Sequence, residues 1–104
     1  MIEELDLAIT DFSAAVKIEP DSAIHYYNRA IAYSKKNDDA KAIVDYSEAI
    51  RLDPGLAPAY NNRAHEFEIT GERDKAIADF RTALRLAPAL RRIIEGNLQR
   101  LKRD

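Results

Sequence analysis

The sequence contains no cysteine and no tryptophan, and its three glycines stand singly. The absence of cysteine excludes disulfides, thiolate nucleophiles and cysteine-based zinc sites. Glycines placed one at a time form no phosphate-binding loop. No run of about 18 apolar residues occurs, and acids stand at the start where a signal peptide has bases. We therefore expect a cytoplasmic protein with no membrane span and no export signal.

Charge is distributed unevenly along the 104 residues, although the net charge is only −2. Residues 1–22 carry six acidic side chains against one lysine, a net of −5. Residues 91–104 carry five basic against two acidic side chains, a net of +3. With 46% hydrophobic and 33% charged residues, the composition predicts a folded, soluble protein that is neither disordered nor embedded in a membrane.

One pattern occurs twice, displaced by 34 residues. Its first copy reads Tyr26-x-x-Arg29-Ala30-x-x-Tyr33, then Ala42-x-x-x-Tyr46, then Pro54. Its second copy reads Tyr60-x-x-Arg63-Ala64-x-x-Phe67, then Ala76-x-x-x-Phe80, then Pro88. The back half also appears upstream, as Ala8-x-x-x-Phe12 and Pro20. A period of this length indicates stacked helix–turn–helix units.

Apolar residues at steps of three and four predict the helices of these units. The predicted helices cover residues 2–19, 23–36, 39–52, 58–70, 73–87 and 89–103. Pro20 ends the first, with Asp21 or Ser22 capping the next. Asn37 and Gly71 are expected in the left-handed conformation at helix ends, and Asp38 as an N-cap. The predicted core alternates six small residues with six aromatic ones: Ala30, Ala42, Ala49, Ala64, Ala76 and Ala83, and Tyr26, Tyr33, Tyr46, Tyr60, Phe67 and Phe80.

This spacing of aromatic, small and proline positions resembles the tetratricopeptide repeat (TPR). The resemblance implies an all-α fold, a right-handed superhelix of antiparallel helix pairs with a C-terminal capping helix. We expect one domain over residues 1–104, with a half repeat at 1–22, full repeats at 23–56 and 57–90, and the cap at 91–104. In the cap, Leu90, Ile94, Leu98 and Leu101 are expected to face inward, because terminal units need a polar outer face.

No residues with catalytic spacing are apparent. His25 and His65 occupy non-equivalent positions of successive repeats, and we interpret each as an ordinary solvated histidine. No nucleophile and base are brought together by the repeat. We therefore expect no enzymatic activity, no cofactor and no metal site.

Some residues of the first helices are not needed by the core. At about 100° per residue they lie roughly opposite the core-facing side. They are Ile24, Tyr27, Asn28, Ile31 and Lys35 in one repeat, and Pro58, Asn61, Asn62, His65 and Ile69 in the next. The resemblance implies that this face lines a concave groove that binds peptides. Alternatively, Tyr27, Ile31 and Asn61 merely pack against the following first helix.

Asn28 and Asn62 occupy the same place in successive repeats. An amide side chain offers an acceptor and two donors, so it can bind a peptide backbone without selecting side chains. The resemblance implies that these asparagines bind peptide backbone, or that they form an asparagine ladder as in glycosyltransferase members of the family. Alternatively, neither asparagine takes part in binding. The carboxylate clamp that chaperone-binding members of the family use is incomplete in this sequence. Tyr27, Ile31 and Pro58 stand where it needs polar or basic groups, and Arg92 can replace only one base.

The predicted function is a protein–protein interaction scaffold that binds a peptide segment of a partner. The alternatives are an accessory segment of a larger enzyme, such as a glycosyltransferase, and a self-assembling structural unit. Nucleic acid is not an expected partner, because the basic tail is one short helix without interleaved aromatics.

Self-assembly is predicted from the first helix, 2–19, which has the character of a second helix of a repeat. Either the chain is a piece of a longer protein, or this helix finds its partner in another molecule. Its stripe of Leu5, Ile9, Phe12 and Val16 is then left bare. Ile94, Leu98 and Leu101 of the basic tail can cover it head to tail, or two N-terminal helices can form a dimer.

Overall fold

The computed structural model describes residues 2–102, with only the backbone for Ile2, and the regular secondary structure of this part of the chain is entirely helical, without a strand. The helices are α1 (Ile2–Ile18), α2 (Ala23–Lys35), α3 (Asp39–Leu52), α4 (Ala57–Ile69), α5 (Arg73–Leu86) and α6 (Arg91–Lys102). A 3-10 turn, Pro88–Leu90, precedes α6. The predicted all-α class is confirmed. Between residues 2 and 102, no helix has the length and apolarity that crossing a membrane requires.

The helix ends lie within two residues of the predicted ones. The largest difference is the start of the last helix, predicted at residue 89 and found at Arg91. Pro88 accounts for it, because proline fits the first turn of a helix and here opens the 3-10 turn. Residue 103, the predicted end of that helix, lies outside the described residues.

The turn between α2 and α3 and the turn between α4 and α5 have the same backbone geometry. Asn37 and Gly71 have φ of 64° and 80°, as predicted. The amide after each donates to the carbonyl five residues back, Asp38 N to Tyr33 O at 2.9 Å and Glu72 N to Phe67 O at 2.8 Å. These bonds satisfy carbonyls that the helix end leaves over.

Of the two predicted caps, one forms the expected hydrogen bond. Asp38 caps α3, accepting from the Lys41 amide at 3.4 Å. Ser22 occupies the N-cap position of α2, but its side chain makes no capping bond, so the predicted cap is wrong in this respect.

The chain divides into two compact units at Pro54–Gly55. The first contains α1, α2 and α3, with α2 packed on both neighbours. The second contains α4 packed on α5, and α5 packed on α6. Helices joined by three-residue turns and packed on each other run antiparallel.

The core of each unit is the predicted mixture of alanine and aromatic side chains. All six alanines of the predicted set have no exposed surface, and Tyr46 and Phe80 are at most 2% exposed. Alanine at these positions lets the helix backbones approach closely, and the two rings fill the space beside them. Tyr26, Tyr33 and Tyr60 are only half-buried.

An arginine and an aspartate join the two helices of each pair. Arg29 of α2 donates from Nε and Nη2 to the Asp45 carboxylate of α3, at 2.6 and 2.9 Å. Arg63 of α4 makes the same two bonds to Asp79 of α5, at 2.7 and 2.8 Å. The aspartate side chains are only 5% and 8% exposed. Hydrogen bonding to Asp45 raises the pKa of Arg29, despite the opposing effect of burial.

Arg29 also contacts the third helix of its unit. Its Nη1 donates to Ser13 Oγ of α1 at 3.2 Å. Its guanidinium lies over the rings of Tyr26 and Tyr33, at 5.6 and 5.9 Å from their centroids. One side chain therefore connects α1, α2 and α3.

The capping helix packs through the predicted residues. Ile94 and Leu98 of α6 are buried, while Leu90 and Leu101 are half-buried. The head-to-tail assembly considered above needs Ile94 and Leu98 on the surface. That part of the prediction is wrong, because α6 uses both residues within its own unit, where it packs on α5.

Asp45→Ala should destabilise the protein by about 3–5 kcal/mol, because it leaves the Arg29 cation largely buried without its carboxylate. The double variant Arg29→Met/Asp45→Leu should recover much of this loss. Denaturant unfolding measures both. Glu48→Ala is the control, since it breaks the exposed Glu48–Arg51 pair and should leave stability near wild type. Equal losses in Asp45→Ala and Glu48→Ala would contradict the structural role of the buried pair.

Gly71→Ala and Gly96→Ala should change stability in opposite directions, although a Cβ at either position meets nothing within 4 Å. Gly71 has φ of 80°, where an L-residue costs about 1–2 kcal/mol. Gly96 lies inside α6, where alanine gains up to about 1 kcal/mol. Thermal unfolding of both variants measures the difference. A stabilised Gly71→Ala would show that this turn is not left-handed in solution.

Candidate functional site

A cleft of ≈ 210 Å³ lies between α1 and α2. Its lining is Leu5, Ala8 and Phe12 from α1, and Asn28, Ile31, Ala32 and Lys35 from α2. Three of the predicted site residues, Asn28, Ile31 and Lys35, therefore come together here. The α1 side of the cleft was not predicted as a binding surface, although Leu5 and Phe12 belong to the apolar stripe that was predicted to be exposed. The volume is below the roughly 300–1,000 Å³ of small-molecule pockets, so the cleft suits one or two inserted side chains.

The side chains of the two polar residues of this cleft have no partner within residues 2–102. Asn28 is half-buried, and its side chain makes no hydrogen bond with another residue of the described chain. Lys35 is exposed, and within residues 2–102 it forms no ion pair. By contrast, the adjacent Lys36 bonds to Asp6 of α1 at 2.5 Å, which raises the pKa of Lys36. An amide and an ammonium group therefore remain available beside an apolar wall.

The two other predicted residues of α2 differ in environment. Tyr27 is half-buried, with its ring edge-on to Tyr46 of α3 at 5.8 Å between centroids. This contact lies inside its own unit, and the groove role of Tyr27 stays a prediction. Ile24, in the first turn of α2, is 49% exposed.

The predicted face of α4 is more polar. Pro58 is exposed in the first turn, and Ile69 is 65% exposed near the other end. Asn61 and Asn62 are half-buried between them. The Asn61 Oδ1 atom is buried and accepts no hydrogen bond from the described residues. Asn62 does make an interaction inside the protein, so it is not the exact counterpart of Asn28.

His65 is exposed, as predicted, but it also contacts two neighbouring side chains. Its ring stands edge-on to Phe80 at 5.0 Å between centroids, and Nδ1 lies 3.4 Å from Glu68 Oε1. Glu68 in turn accepts two hydrogen bonds from Arg100 of α6, at 2.5 and 3.1 Å. The Arg100 hydrogen bond is the main cause of a lowered pKa of the Glu68 carboxyl, which His65 assists. His65 therefore belongs to a polar cluster that joins α4 to α6.

His25, likewise, is paired: its Nε2 lies 2.9 Å from Glu19 Oε1. Within residues 2–102, no group of three or more histidine or acidic side chains is arranged to hold a metal ion. Glu66 was not among the predicted residues, yet it is only 3% exposed, at the α4 position where α2 has the buried Ala32. The sequence does contain the information, because a glutamate stands here at the repeat position that holds a small core residue one repeat earlier.

Glu68→Gln should lower the melting temperature at pH 7 and have little effect in acid. The folded pKa of Glu68 is lowered from 4.5. Its contribution is therefore present above the unfolded value and is lost as the pH falls through the folded pKa. Melting curves of both proteins should converge as the pH falls below this window. A difference that persists unchanged in acid would show that the carboxylate charge is not responsible.

Comparison with known proteins places these features in a family. No curated protein matches the chain by sequence. The Arabidopsis OM64 TPR domain is 28% identical, with a TM-score of 0.90, and the match covers 97% of this chain and 83% of that one. The second TPR domain of human RPAP3, solved with the HSP70 peptide SGPTIEEVD, is 27% identical, with a TM-score of 0.87 and coverages of 96% and 82%. The TPR2B domain of yeast Sti1, in a complex with pHsp70, is 24% identical, with a TM-score of 0.90 and coverages of 97% and 85%.

The family comparison agrees with the repeat pattern. Models of the tetratricopeptide repeat match residues 23–56 and residues 57–90. Together these matches cover 68 of the 104 residues. The chain therefore belongs to the tetratricopeptide repeat family.

Proposed function

We propose that the chain is a protein-interaction module that binds peptide segments of a partner protein, and that α2 in the first unit and α4 in the second unit each present a contact face. The contact residues on α2 are Ile24, Asn28, Ile31 and Lys35. Those on α4 are Pro58, Asn61, Asn62, His65 and Ile69. The fifth predicted residue of α2, Tyr27, is half-buried, and its ring packs on Tyr46.

The observation that carries the proposal is the position of Asn28. Its amide lies half-buried at the cleft, beside the apolar Ile31 and Phe12, with no hydrogen bond inside the described chain. A half-buried amide without partners forgoes hydrogen bonds that a peptide backbone can supply. An apolar pocket with a few polar groups is also the usual composition of a binding site.

The solved relatives support a peptide rather than another class of ligand. The human RPAP3 domain, 27% identical to this chain, was solved with a nine-residue HSP70 peptide. That peptide ends in the acidic sequence EEVD. This chain offers few bases for such an end: Lys35 is the one lysine or arginine at the cleft, and the α4 set contains neither. We therefore propose a less acidic peptide than the HSP70 tail.

The two alternative functions have less support. Self-assembly loses its head-to-tail form, because Ile94 and Leu98 are buried. A glycosyltransferase accessory segment rests on the asparagine pair, and Asn28 and Asn62 are not equivalent in their contacts. The peptide-binding proposal needs neither feature.

Asn28→Ala should weaken binding of a peptide selected from a random display library, by roughly 2- to 13-fold for one lost hydrogen bond of about 0.5–1.5 kcal/mol. Because Asn28 has no partner inside the described chain, the melting temperature should not change. Fluorescence anisotropy measures the affinity, with SGPTIEEVD as a second probe.

Asn97→Ala on α6 is the control, since Asn97 is half-buried and lies outside both faces. If Asn28→Ala and Asn97→Ala bind the selected peptide equally well, Asn28 does not belong to the site. If no peptide is enriched over background, the proposed function itself is wrong. Tighter binding of SGPTIEEVD than of any selected peptide would instead favour a chaperone tail.

A further inference from the structure

The face of α1 repeats the face that α3 uses to pack on α2. Residues Ala8, Phe12 and Ala15 of α1 stand 34 positions before Ala42, Tyr46 and Ala49 of α3. On α3 these three are at most 2% exposed, whereas on α1 all three are only half-buried. Leu7, beside them on α1, is 66% exposed. A surface composed for helix packing is thus left partly open along the cleft.

The same displacement applies to the ion pair. Asp45 and Asp79 each accept two hydrogen bonds from an arginine of the helix packed against them. The residue at the corresponding position of α1 is Asp11. Asp11 is exposed, and within residues 2–102 its carboxylate has no hydrogen bond or ion pair. Asp11 therefore occupies the repeat position whose carboxylate binds an arginine in the other two cases, but it has no arginine to bind.

We propose that the α1–α2 cleft binds an amphipathic helix of a partner protein, and that an arginine of this helix pairs with Asp11. This rests on the proposed function, because it names one kind of segment that the module binds. The helix carries small and aromatic residues toward Ala8 and Phe12, as α2 does toward Ala42 and Tyr46. A net basic charge suits it, since residues 1–22 carry a net of −5.

A second copy of this chain does not provide such a helix. Arg29 and Arg63 are already bonded to Asp45 and Asp79 in their own units. In α6, the position 34 residues after Arg63 is Asn97, and Ile94 and Leu98 are buried. Neither the repeat-position arginines nor the apolar face of α6 is therefore free within residues 2–102 to occupy the cleft of another copy.

The sequence of α2 provides the probe. A blocked peptide with the sequence of residues 22–37 contains Tyr26, Arg29, Ala30 and Tyr33 and has a net charge of +3 from one arginine and two lysines. Added to the whole protein, it should bind saturably, gain helical circular dichroism, and shift the amide NMR signals of Ala8, Phe12 and Ile31. An Asp11→Ala protein should bind it about tenfold more weakly or worse, as expected for a hydrogen-bonded charged pair.

The control for net charge is Glu3→Ala, which removes an exposed acid from the same helix. It should weaken binding much less than Asp11→Ala. A peptide with Arg29→Asp should bind poorly to wild type and recover its affinity on an Asp11→Arg protein. If only the net charges of protein and peptide mattered, the affinity would not recover in this pair, because both changes reduce the attraction between the acidic protein and the basic peptide.

Three results would overturn the inference. The first is no saturable binding at millimolar peptide, and the second is equal loss in Asp11→Ala and Glu3→Ala. The third is a peptide-free mass above 11.8 kDa that Asp11→Ala abolishes, since the occupant is then a second copy. Asn28-dependent binding of a display-selected peptide distinguishes the two proposals, because it leaves the proposed function intact when the helix peptide fails.

Discussion

The buried arginine–aspartate pair fixes how the two helices of each repeat meet. Alanine and aromatic side chains supply the apolar contact, but that contact is non-directional and tolerates a shift along the helix axis. Two parallel hydrogen bonds between a planar guanidinium and a carboxylate do not tolerate it. Arg29–Asp45 and Arg63–Asp79 repeat this geometry with nearly identical distances. The ion pair therefore selects one register, and the alanines permit the close approach that the register requires.

Helix positions and turns were predictable from the sequence because their causes are local. Asn37 and Gly71 end helices through their own φ angles, and Pro88 shapes the start of α6 through its ring. The Asp45 and Asp79 partners were missed, because apolar periodicity ignores charged residues. The signal was nevertheless present, since Arg29 and Asp45 recur together 34 residues later. A search for recurring polar positions, as well as apolar ones, finds the pair.

The candidate site was predicted less well, since a helical wheel gives direction but not depth. Tyr27 and Asn28 are adjacent in sequence, yet one packs on Tyr46 and the other lies at an open cleft. Which of them is covered depends on the side chains of the neighbouring helix, and 100° per residue contains no such information. The contacts of His65 divide in the same way: Glu68 stands three residues later on α4 and follows from helix spacing, whereas Phe80 comes from the packing of α5, which a single helix does not show.

Equivalent residues in a repeat protein have different roles according to which helix covers them. Phe12 and Tyr46 occupy one repeat position, and Tyr46 is core while Phe12 lines a cleft. Asp45 and Asp11 likewise share a position, and one is a buried hydrogen-bond acceptor while the other is in solvent. In a repeat fold, the residue pattern specifies a packing surface. A surface that no helix within residues 2–102 fully covers retains its preference for a helix of the same kind. The arginine that would match Asp11 is thus a more specific description of a partner than the apolar cleft, because hydrophobic contact alone accepts many side chains and a bidentate ion pair accepts very few.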